Sequence, residues 1–406
     1  AEDGLTVEIV EPEQIYNEFS SGAPDPSGIR RYLKMLYDRS LAASPESPLQ
    51  YALLFTRPTF DPRHLTNFMA NAGYPTIPSW MPRDVRASLS DTEGFTTDDF
   101  IAMLEDGSGG RLGYDHLSIA VGRVPVTSAA QAASVVDKFT EYKKRGRTGL
   151  WRHRYLFTAD DEDNGIHLQQ TENLLKGITS TAGNQHFLRK IYLDSYERSG
   201  KQYPAAREDL FRYLEEGVVW WNFIGHANTT SWTGNGLLTF TDMNNMYLRH
   251  WPFLYTATCD FLRWDSNTTS GGEYIFMERY GGGIGAVSAV RPVYISDNGM
   301  LSEAMGRALA ARDHEGRFLT PGEIYRRAKN DIRNSRGDKV ESSNRLRYVF
   351  MGDPALHLAI PDNVITIDLP ADGSDIVLGT GGTYELSGRI TDPVTGETLS
   401  DFNGTL

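Results

Sequence analysis

The chain contains a single cysteine, Cys259, and a histidine, His226, lies 33 residues before it. These residue types could form a nucleophile and its base, because a thiol attacks as the thiolate and a neighbouring imidazole can remove its proton. Each of the two residues follows an apolar segment, "VVWWNFIG" for the histidine and "FLYTAT" for the cysteine. Ligands of open parallel sheets bind at the carboxyl ends of the strands. If the two segments are neighbouring strands, the thiol and the imidazole therefore emerge side by side.

The same two residues also have a plainer interpretation. A lone cysteine in "YTATC" is commonly a buried core residue, and a histidine after Gly225 is commonly a loop residue. Their joint position after two predicted strands favours the nucleophile and base. The backbone N–H groups of Ala227 and Cys259 would then point toward the oxyanion of a tetrahedral intermediate.

A third group could hold the imidazole in one tautomer. The segment "ADDEDNGIH" places acids at 160–163, at the end of a predicted strand, and we predict that Asp161 orients His226. The alternative is that these acids are solvated caps or calcium ligands. Trp232 is predicted to wall the substrate cleft, although an aromatic residue after a loop more often packs in the core.

The composition limits the class of protein. The chain has 406 residues, 40% of them hydrophobic, a net charge of −13 and a pI near 5.2. This length predicts two or three domains. An acidic chain without a basic cluster is a poor candidate for nucleic-acid binding. One cysteine cannot form an internal disulfide, and no apolar segment approaches the 18 residues of a transmembrane helix. The start, "AEDGLTVEIV", does not have the features of a signal peptide, and we expect a fragment of a larger protein.

The elements that must position the candidate residues alternate between strand and helix. Strands are predicted at 5–10, 49–56, 117–126, 151–161, 187–194, 218–227, 251–259 and 284–290. Helices are predicted at 25–41, 127–146, 166–181, 203–217, 271–283 and 298–312. This alternation indicates an α/β fold with mainly parallel sheets covered by helices.

Three domains are predicted from these patterns. Residues 1–147 form an N-terminal α/β subdomain, and residues 148–361 form the catalytic α/β subdomain. After "GDPALHLAIPD" the pattern changes to short alternating strands with Gly, Asp and Pro turns. Residues 362–406 are therefore predicted to begin an all-β, Ig-like domain that is truncated here.

Several further segments carry a resemblance to a known family. They are "FIGHANTTSW", "TATCDFLRWD", "SGGEYIF", "FTADDEDNGIH", "TTDDFIAMLEDGSGG", "LSIAVGRVPV" and "YVFMGDPALHLAIP". Together with the Gly-His and Cys pattern they resemble the gingipain-type cysteine peptidases, family C25 of the caspase-like clan. The resemblance spans about residues 5–361 and is strongest to the sortase branch of the type IX secretion system of Bacteroidota.

The resemblance implies two caspase-like subdomains followed by β-sandwich domains, with Cys259 as the nucleophile and His226 as the general base and then acid. It implies that Ala227 and Cys259 supply the oxyanion hole. The family usually has glycine where this chain has Ala227, which would be strained if that position required a positive φ. No cofactor is implied for the chemistry. Structural calcium is common in the family, and the acids at 98–106 and 160–163 are oxygen-rich enough to bind it.

The same resemblance implies a cellular role. A sortase of this branch removes the C-terminal signal domain of secreted cargo and joins the new C-terminus to an amine of anionic lipopolysaccharide. Its partners would be these signal domains, the lipopolysaccharide and other outer-membrane components of the type IX machine. It would lie at the outer membrane, on the extracellular face of a Gram-negative bacterium. The alternatives are a gingipain-like secreted endopeptidase and a catalytically silent scaffold of the secretion machine.

Overall fold

Helices and strands alternate along most of the chain. The computed structural model describes residues 4–46, 48–62, 76–81, 94–144, 148–182, 186–234, 236–342, 344–368 and 387–402. The helices described are α1 (Pro12–Phe19), α2 (Pro26–Ala43), α3 (Asp99–Ala102), α4 (Ala129–Lys144), α5 (Ile166–Ala182), α6 (Pro204–Glu216), α7 (Phe240–Asn245), α8 (Gly271–Met277), α9 (Ile295–Leu309) and α10 (Pro321–Asn330). The strands described are β1 (Tyr51–Leu54), β2 (Ala120–Arg123), β3 (Arg154–Ala159), β4 (Phe187–Tyr192), β5 (Trp220–Ile224), β6 (Phe253–Ala257), β7 (Gly285–Ala289), β8 (Tyr348–Met351), β9 (Val364–Ile367) and β10 (Gly388–Thr391).

One eight-stranded sheet organises the molecule, in the order β1-β2-β8-β7-β6-β5-β3-β4. Every neighbouring pair in it is parallel except β7 and β8, which are antiparallel. The central strands β5, β6 and β7 are buried along their whole length, which is why their sequences are continuous apolar segments rather than alternating ones. Helices pack on this sheet, α5 on β3 and β5 and α10 on β2. The predicted α/β fold with mainly parallel strands is confirmed.

The two predicted α/β subdomains share this sheet. β1 and β2 come from the N-terminal part and join the remaining strands at β8, through the single pair Arg123↔Met351. Buried ion pairs add to the connection, because Arg57 Nε lies 2.8 Å from Glu273 Oε1 and Lys329 Nζ lies 2.7 Å from Asp99 Oδ2. Both pairs join a side chain before residue 147 to one after residue 148. The domain boundaries themselves stay a prediction.

Two predictions at the chain ends have different outcomes. The strand predicted at 5–10 does not form: residues 5–10 pair with no described strand, and Val7 and Ile9 are exposed at 73% and 94%. A strand needs a neighbour for its backbone N–H and C=O groups, and the apolar pattern alone does not provide one. In the predicted all-β region, β9 and β10 pair antiparallel. Residues 369–386 between them lie outside the described part, so an Ig-like domain stays a prediction.

In the described part of the chain, no helix combines the length and the apolar character needed to cross a membrane.

Helices α5 and α9 approach each other closely at two glycines. A Cβ atom placed on Gly306 of α9 would lie 2.2 Å from the backbone oxygen of Leu174 in α5. A Cβ on Gly177 of α5 would lie 2.8 Å from the backbone nitrogen of Arg307. Backbone atoms cannot move aside as side chains do, so both positions require glycine. The contact fixes α5, which begins immediately after the acidic segment at 160–163.

Replacing Gly306 by alanine should therefore destabilise the protein. Alanine favours a helix over glycine by about 1 kcal/mol, but the overpacking between the two backbones outweighs this gain. We expect the free energy of unfolding in urea to fall by roughly 1–2 kcal/mol. Gly110→Ala is the control, since a Cβ there meets no atom within 4 Å. Equal stability of the two variants would show that the helices separate at no cost.

Candidate active site

The pairing of β5 with β6 places His226 and Cys259 at one edge of the sheet. The two strands are parallel neighbours, and their last paired residues are Ile224 and Ala257. Each chain then continues for two residues, to His226 after β5 and to Cys259 after β6. The candidate base and nucleophile thus leave the sheet at the same level, at the carboxyl ends of adjacent central strands.

The Cys259 thiol is half-buried and contacts the segment before α9. Its Sγ accepts a hydrogen bond from the Val293 backbone N–H at 3.4 Å and lies 3.9 Å from the Val293 oxygen. Burial raises the pKa of the thiol, and the Val293 N–H opposes that rise. The cysteine is therefore a thiol at neutral pH and needs a base to react. Asp260, the next residue, has a φ of +53°, so the chain turns sharply after the strand.

The His226 imidazole is held by a carboxylate. Its Nε2 lies 2.7 Å from Asp163 Oδ2 and 3.8 Å from Glu162 Oε2. Its Nδ1 makes no hydrogen bond with a described residue. The hydrogen bond lowers the pKa of Asp163, which is therefore ionised. Its carboxylate accepts the hydrogen bond, so the imidazole proton lies on Nε2. This arrangement leaves the lone pair on Nδ1, the nitrogen that can take a proton from a thiol.

The orienting carboxylate is Asp163 and not Asp161, which corrects the sequence prediction. Asp161 Oδ2 instead accepts a 2.5 Å hydrogen bond from Tyr203 Oη. The reason is a local turn, because Asp163, Asn164 and Gly165 all have left-handed φ values of 60°, 57° and 76°. Successive left-handed residues are rare outside glycine, and such strain gathers at functional sites. The strand-end pattern predicts acids here but not a turn that returns the last of them to the imidazole.

Asp160 is a buried acid that holds the backbone of His226. It is fully buried, and its carboxylate accepts hydrogen bonds at 3.1 Å from the backbone N–H groups of His226 and Asp161. A Cβ on Gly225 would lie 2.4 Å from the Asp160 Cβ, so the glycine before the histidine makes this approach possible. Burial raises the pKa of Asp160 to about 7, against the lowering effect of the His226 N–H. Asp160 follows β3, which lies beside β5, and there it positions the backbone of His226. The sequence patterns did not predict this role.

The backbone N–H groups of Ala227 and Cys259, predicted to bind an oxyanion, make no hydrogen bond with a described residue. Neither Ala227 nor Cys259 donates a backbone hydrogen bond to any of them. The hairpin that contains Ala227 is held by hydrogen bonds of the adjacent residues. Thr233 N–H, for example, donates to the His226 oxygen at 2.7 Å. Ala227 is not among the residues with positive φ, so the strain expected from replacing glycine does not arise.

Trp232 packs in the core and does not wall a cleft, which corrects a second prediction. It has no exposed surface, and its ring stacks on Phe223 with centroids 4.2 Å apart and planes 6° apart. It also contacts Trp221 and Phe261. An indole of this size is drawn into the core because its burial removes a large apolar area from water.

Two of the acids in the segment at 98–106, where the resemblance allows calcium, form ion pairs within the protein. Asp98 accepts from the Arg123 guanidinium, and Asp99 accepts from Lys329 Nζ. Calcium needs six to eight oxygen ligands, and these two carboxylates already have cationic partners. At 160–163, Asp160 and Asp161 accept from protein donors. Structural calcium stays a prediction.

A second histidine, His167, lies beside His226 and was missed by the sequence analysis. Its ring is 5.2 Å from the His226 ring, centroid to centroid, at an angle of 88°. Its Nε2 lies 3.3 Å from Asp163 Oδ2. Burial lowers the pKa of His167, so the imidazole is neutral at neutral pH. No helical spacing predicts this contact, because Asp163 lies in the left-handed turn before α5 and only His167 lies on the helix.

Comparison with known proteins identifies the family of the chain. The model of peptidase family C25 matches residues 1–359. The Arg-specific cysteine proteinase gingipain R (RgpB) has a TM-score of 0.63 at 15% identity, over 90% of this chain and 76% of that one. The complex of the Porphyromonas gingivalis RgpB pro- and mature domains has a TM-score of 0.60 at 14% identity, over 90% of this chain and 77% of that one. These two structures show a shared fold.

Dimeric latent PorU from Porphyromonas gingivalis has a TM-score of 0.49 at 20% identity, over 98% of this chain and 32% of that one. No curated protein matches the chain.

Alkylation of Cys259 should report on Asp163. Because the chain has one cysteine, iodoacetamide labels a single thiol that mass spectrometry can follow. In Asp163→Asn the imidazole loses the carboxylate that fixes its tautomer and stabilises its cation. We expect the labelling rate near neutral pH to fall about tenfold, as it should in His226→Ala. Glu162→Gln is the matched control, and an equal loss in that variant would remove the special role of Asp163.

The raised pKa of Asp160 should make stability depend on pH. A carboxyl group whose folded pKa lies above its unfolded value of 3.8 contributes stability that is complete below pH 3.8 and is lost as the pH rises to about 7. We expect the stability of the protein, relative to Asp160→Asn, to decrease by up to about 4 kcal/mol between pH 4 and 7. Urea unfolding of both proteins at several pH values measures this difference. A difference that is constant with pH would contradict the assignment.

Proposed function

Because the chain belongs to peptidase family C25, we propose that it is a cysteine-dependent acyl-transfer enzyme with Cys259 as the nucleophile and His226 as the base. The observation that supports this most is the parallel register of β5 and β6, which brings both residues to the same sheet edge two residues after Ile224 and Ala257. A buried core thiol and an unrelated loop histidine would not need this placement. The contact between His226 and Asp163 adds the orienting group that such a pair requires.

The chemistry follows from the protonation of the three groups. His226 Nδ1 removes the Cys259 proton, and the thiolate attacks the carbonyl carbon of the substrate amide. Asp163 stabilises the imidazolium that results, and the Ala227 and Cys259 N–H groups donate to the oxyanion. The imidazolium then gives its proton to the leaving amine as the C–N bond breaks. The product is a thioester on Cys259, which water or a second amine resolves.

The finer part of the proposal is transfer to an amine. The segments "FIGHANTTSW" and "TATCDFLRWD" resemble the sortase branch of the family. We therefore infer that the enzyme cleaves the C-terminal signal domain from type IX secretion cargo and transfers the cargo to an amine of anionic lipopolysaccharide. This places its action at the outer membrane, on the cell surface, with other components of that machine as partners.

Hydrolysis is the competing outcome of the same thioester. The side chains of His226 and Asp163 are about half exposed, at 48% and 47%, so water can reach the base. Gingipain R, a proteinase, shares the fold. Transfer requires that the amine reaches the thioester before water does, and this competition is what an experiment must measure.

The test is a cleavage reaction with two possible products. The protein is mixed with a cargo that carries a C-terminal signal domain, with and without a glycine peptide as amine. Mass spectrometry then identifies the new C-terminus of the cargo. We expect an amide-linked product that forms with the wild-type protein and is absent with Cys259→Ala.

The other results separate the alternatives. If the cargo ends in a free carboxylate even in excess amine, the enzyme is a peptidase that uses the same residues and is not a transferase. Cleavage that persists in Cys259→Ala would contradict the nucleophile. Absence of cleavage, together with slow alkylation of Cys259, would contradict the acyl-transfer proposal and favour a scaffold.

A further inference from the structure

The imidazole of His167 is buried, with a carboxylate near one ring nitrogen but no well-formed hydrogen bond to either. The residue is 3% exposed, and neither its Nδ1 nor its Nε2 makes a hydrogen bond in the part of the chain described. Buried polar groups are nearly always paired, and each exception needs an explanation. The Nε2 of His167 is directed toward Asp163 Oδ2, 3.3 Å away. Histidine nitrogens and aspartate oxygens are both zinc ligands, so a buried imidazole nitrogen beside a carboxylate can share one ion with it.

Three ligand atoms converge at this point. One atom each from Asp163, His167 and His226 lie within 4.8 Å of one another. Asp163 Oδ2 is 3.3 Å from His167 Nε2 and 2.7 Å from His226 Nε2. Zinc with bonds of about 2.0–2.1 Å to nitrogen and oxygen in a tetrahedron separates its ligands by about 3.3 Å. The first distance already has this value, and the second requires a small outward movement of an exposed histidine.

We propose that Asp163, His167 and His226 bind a zinc ion, and that the bound ion switches off His226 as a base. Two imidazoles and one carboxylate are the ligand set that zinc uses when a fourth position is left for water. Calcium and magnesium prefer oxygen ligands only, so they do not fit this set. The exposed sides of Asp163 and His226 leave that fourth position open to solvent.

The inhibition follows from the proton count of imidazole. A neutral imidazole has one N–H and one lone pair. When Nε2 of His226 binds the ion, its lone pair is used and the proton must lie on Nδ1. Nδ1 is the nitrogen that should accept the Cys259 proton, so the base is lost although the thiol and the cleft are untouched. This consequence rests on the proposed function, whereas zinc binding itself does not.

Binding and inhibition are therefore tested on different proteins. Binding is measured on Cys259→Ala, treated first with a chelator, by zinc competition with a chromophoric chelator. We expect one equivalent to bind, and the affinity to fall at least tenfold in Cys259→Ala combined with His167→Gln. His314→Gln, at a side chain that is 86% exposed, is the matched control and should bind normally.

Inhibition is measured on proteins that keep Cys259, as the rate of iodoacetamide labelling with and without zinc. We expect zinc to slow labelling in the wild-type protein and a chelator to restore it. In His167→Gln the ratio of the two rates should return to near one, whatever the labelling rate without zinc.

Each other result overturns a stated part. If Cys259→Ala does not bind zinc, the site does not exist, even if the wild-type protein binds zinc through its thiol. If Cys259→Ala binds zinc but the wild-type labelling rate is unchanged, the ion does not act on the base. If zinc binds normally but the cargo is never cleaved, the proposed function fails while the metal site stands.

Discussion

The parallel register between β5 and β6 is the constraint on which the site depends. Ile224 pairs with Ala257, and this pairing sets His226 and Cys259 at equal distances past the sheet. A shift of one residue would reverse the direction of every side chain on the strand. Both strands are fully buried, so such a shift would place core residues in the wrong layer. The position of the reactive groups is therefore maintained by the stability of the whole core.

The segment that follows the third strand, β3, supplies the two carboxylates that support the histidine. Ala159 pairs with Ile224, so the residues after β3 lie beside those after β5. Asp160 holds the backbone of His226, and Asp163 holds its ring. One acidic segment thus fixes both the main chain and the side chain of the base. Because Asp160 binds the main chain and Asp163 binds the ring, a buried carboxylate and an exposed one occur three residues apart.

Sequence patterns predicted what depends on the period of apolar residues, and they missed what depends on local turns. The central strands and most helices follow from continuous or helical apolar patterns, and Cys259 and His226 follow from their places after two of these strands. Trp232 could not be placed, because an aromatic residue after a loop faces the core or the solvent according to the hairpin that carries it. Asp163 could not be separated from Asp161, because Asp-Asn-Gly favours a left-handed turn at 163–165 without showing which acid that turn returns to the imidazole.

The way the sheet is assembled has a consequence for the order of events during synthesis. β2 is made before its neighbour β8, which lies 228 residues later in the chain at the pair Arg123↔Met351. Until β8 emerges, β1 and β2 can pair only with each other, and the other edge of β2 stays unpaired while these 228 residues are made. Long-range pairing of this kind is slow, and a waiting strand edge is where chains associate wrongly. β2 therefore gains its second neighbour only after the chain as far as β8 has left the ribosome.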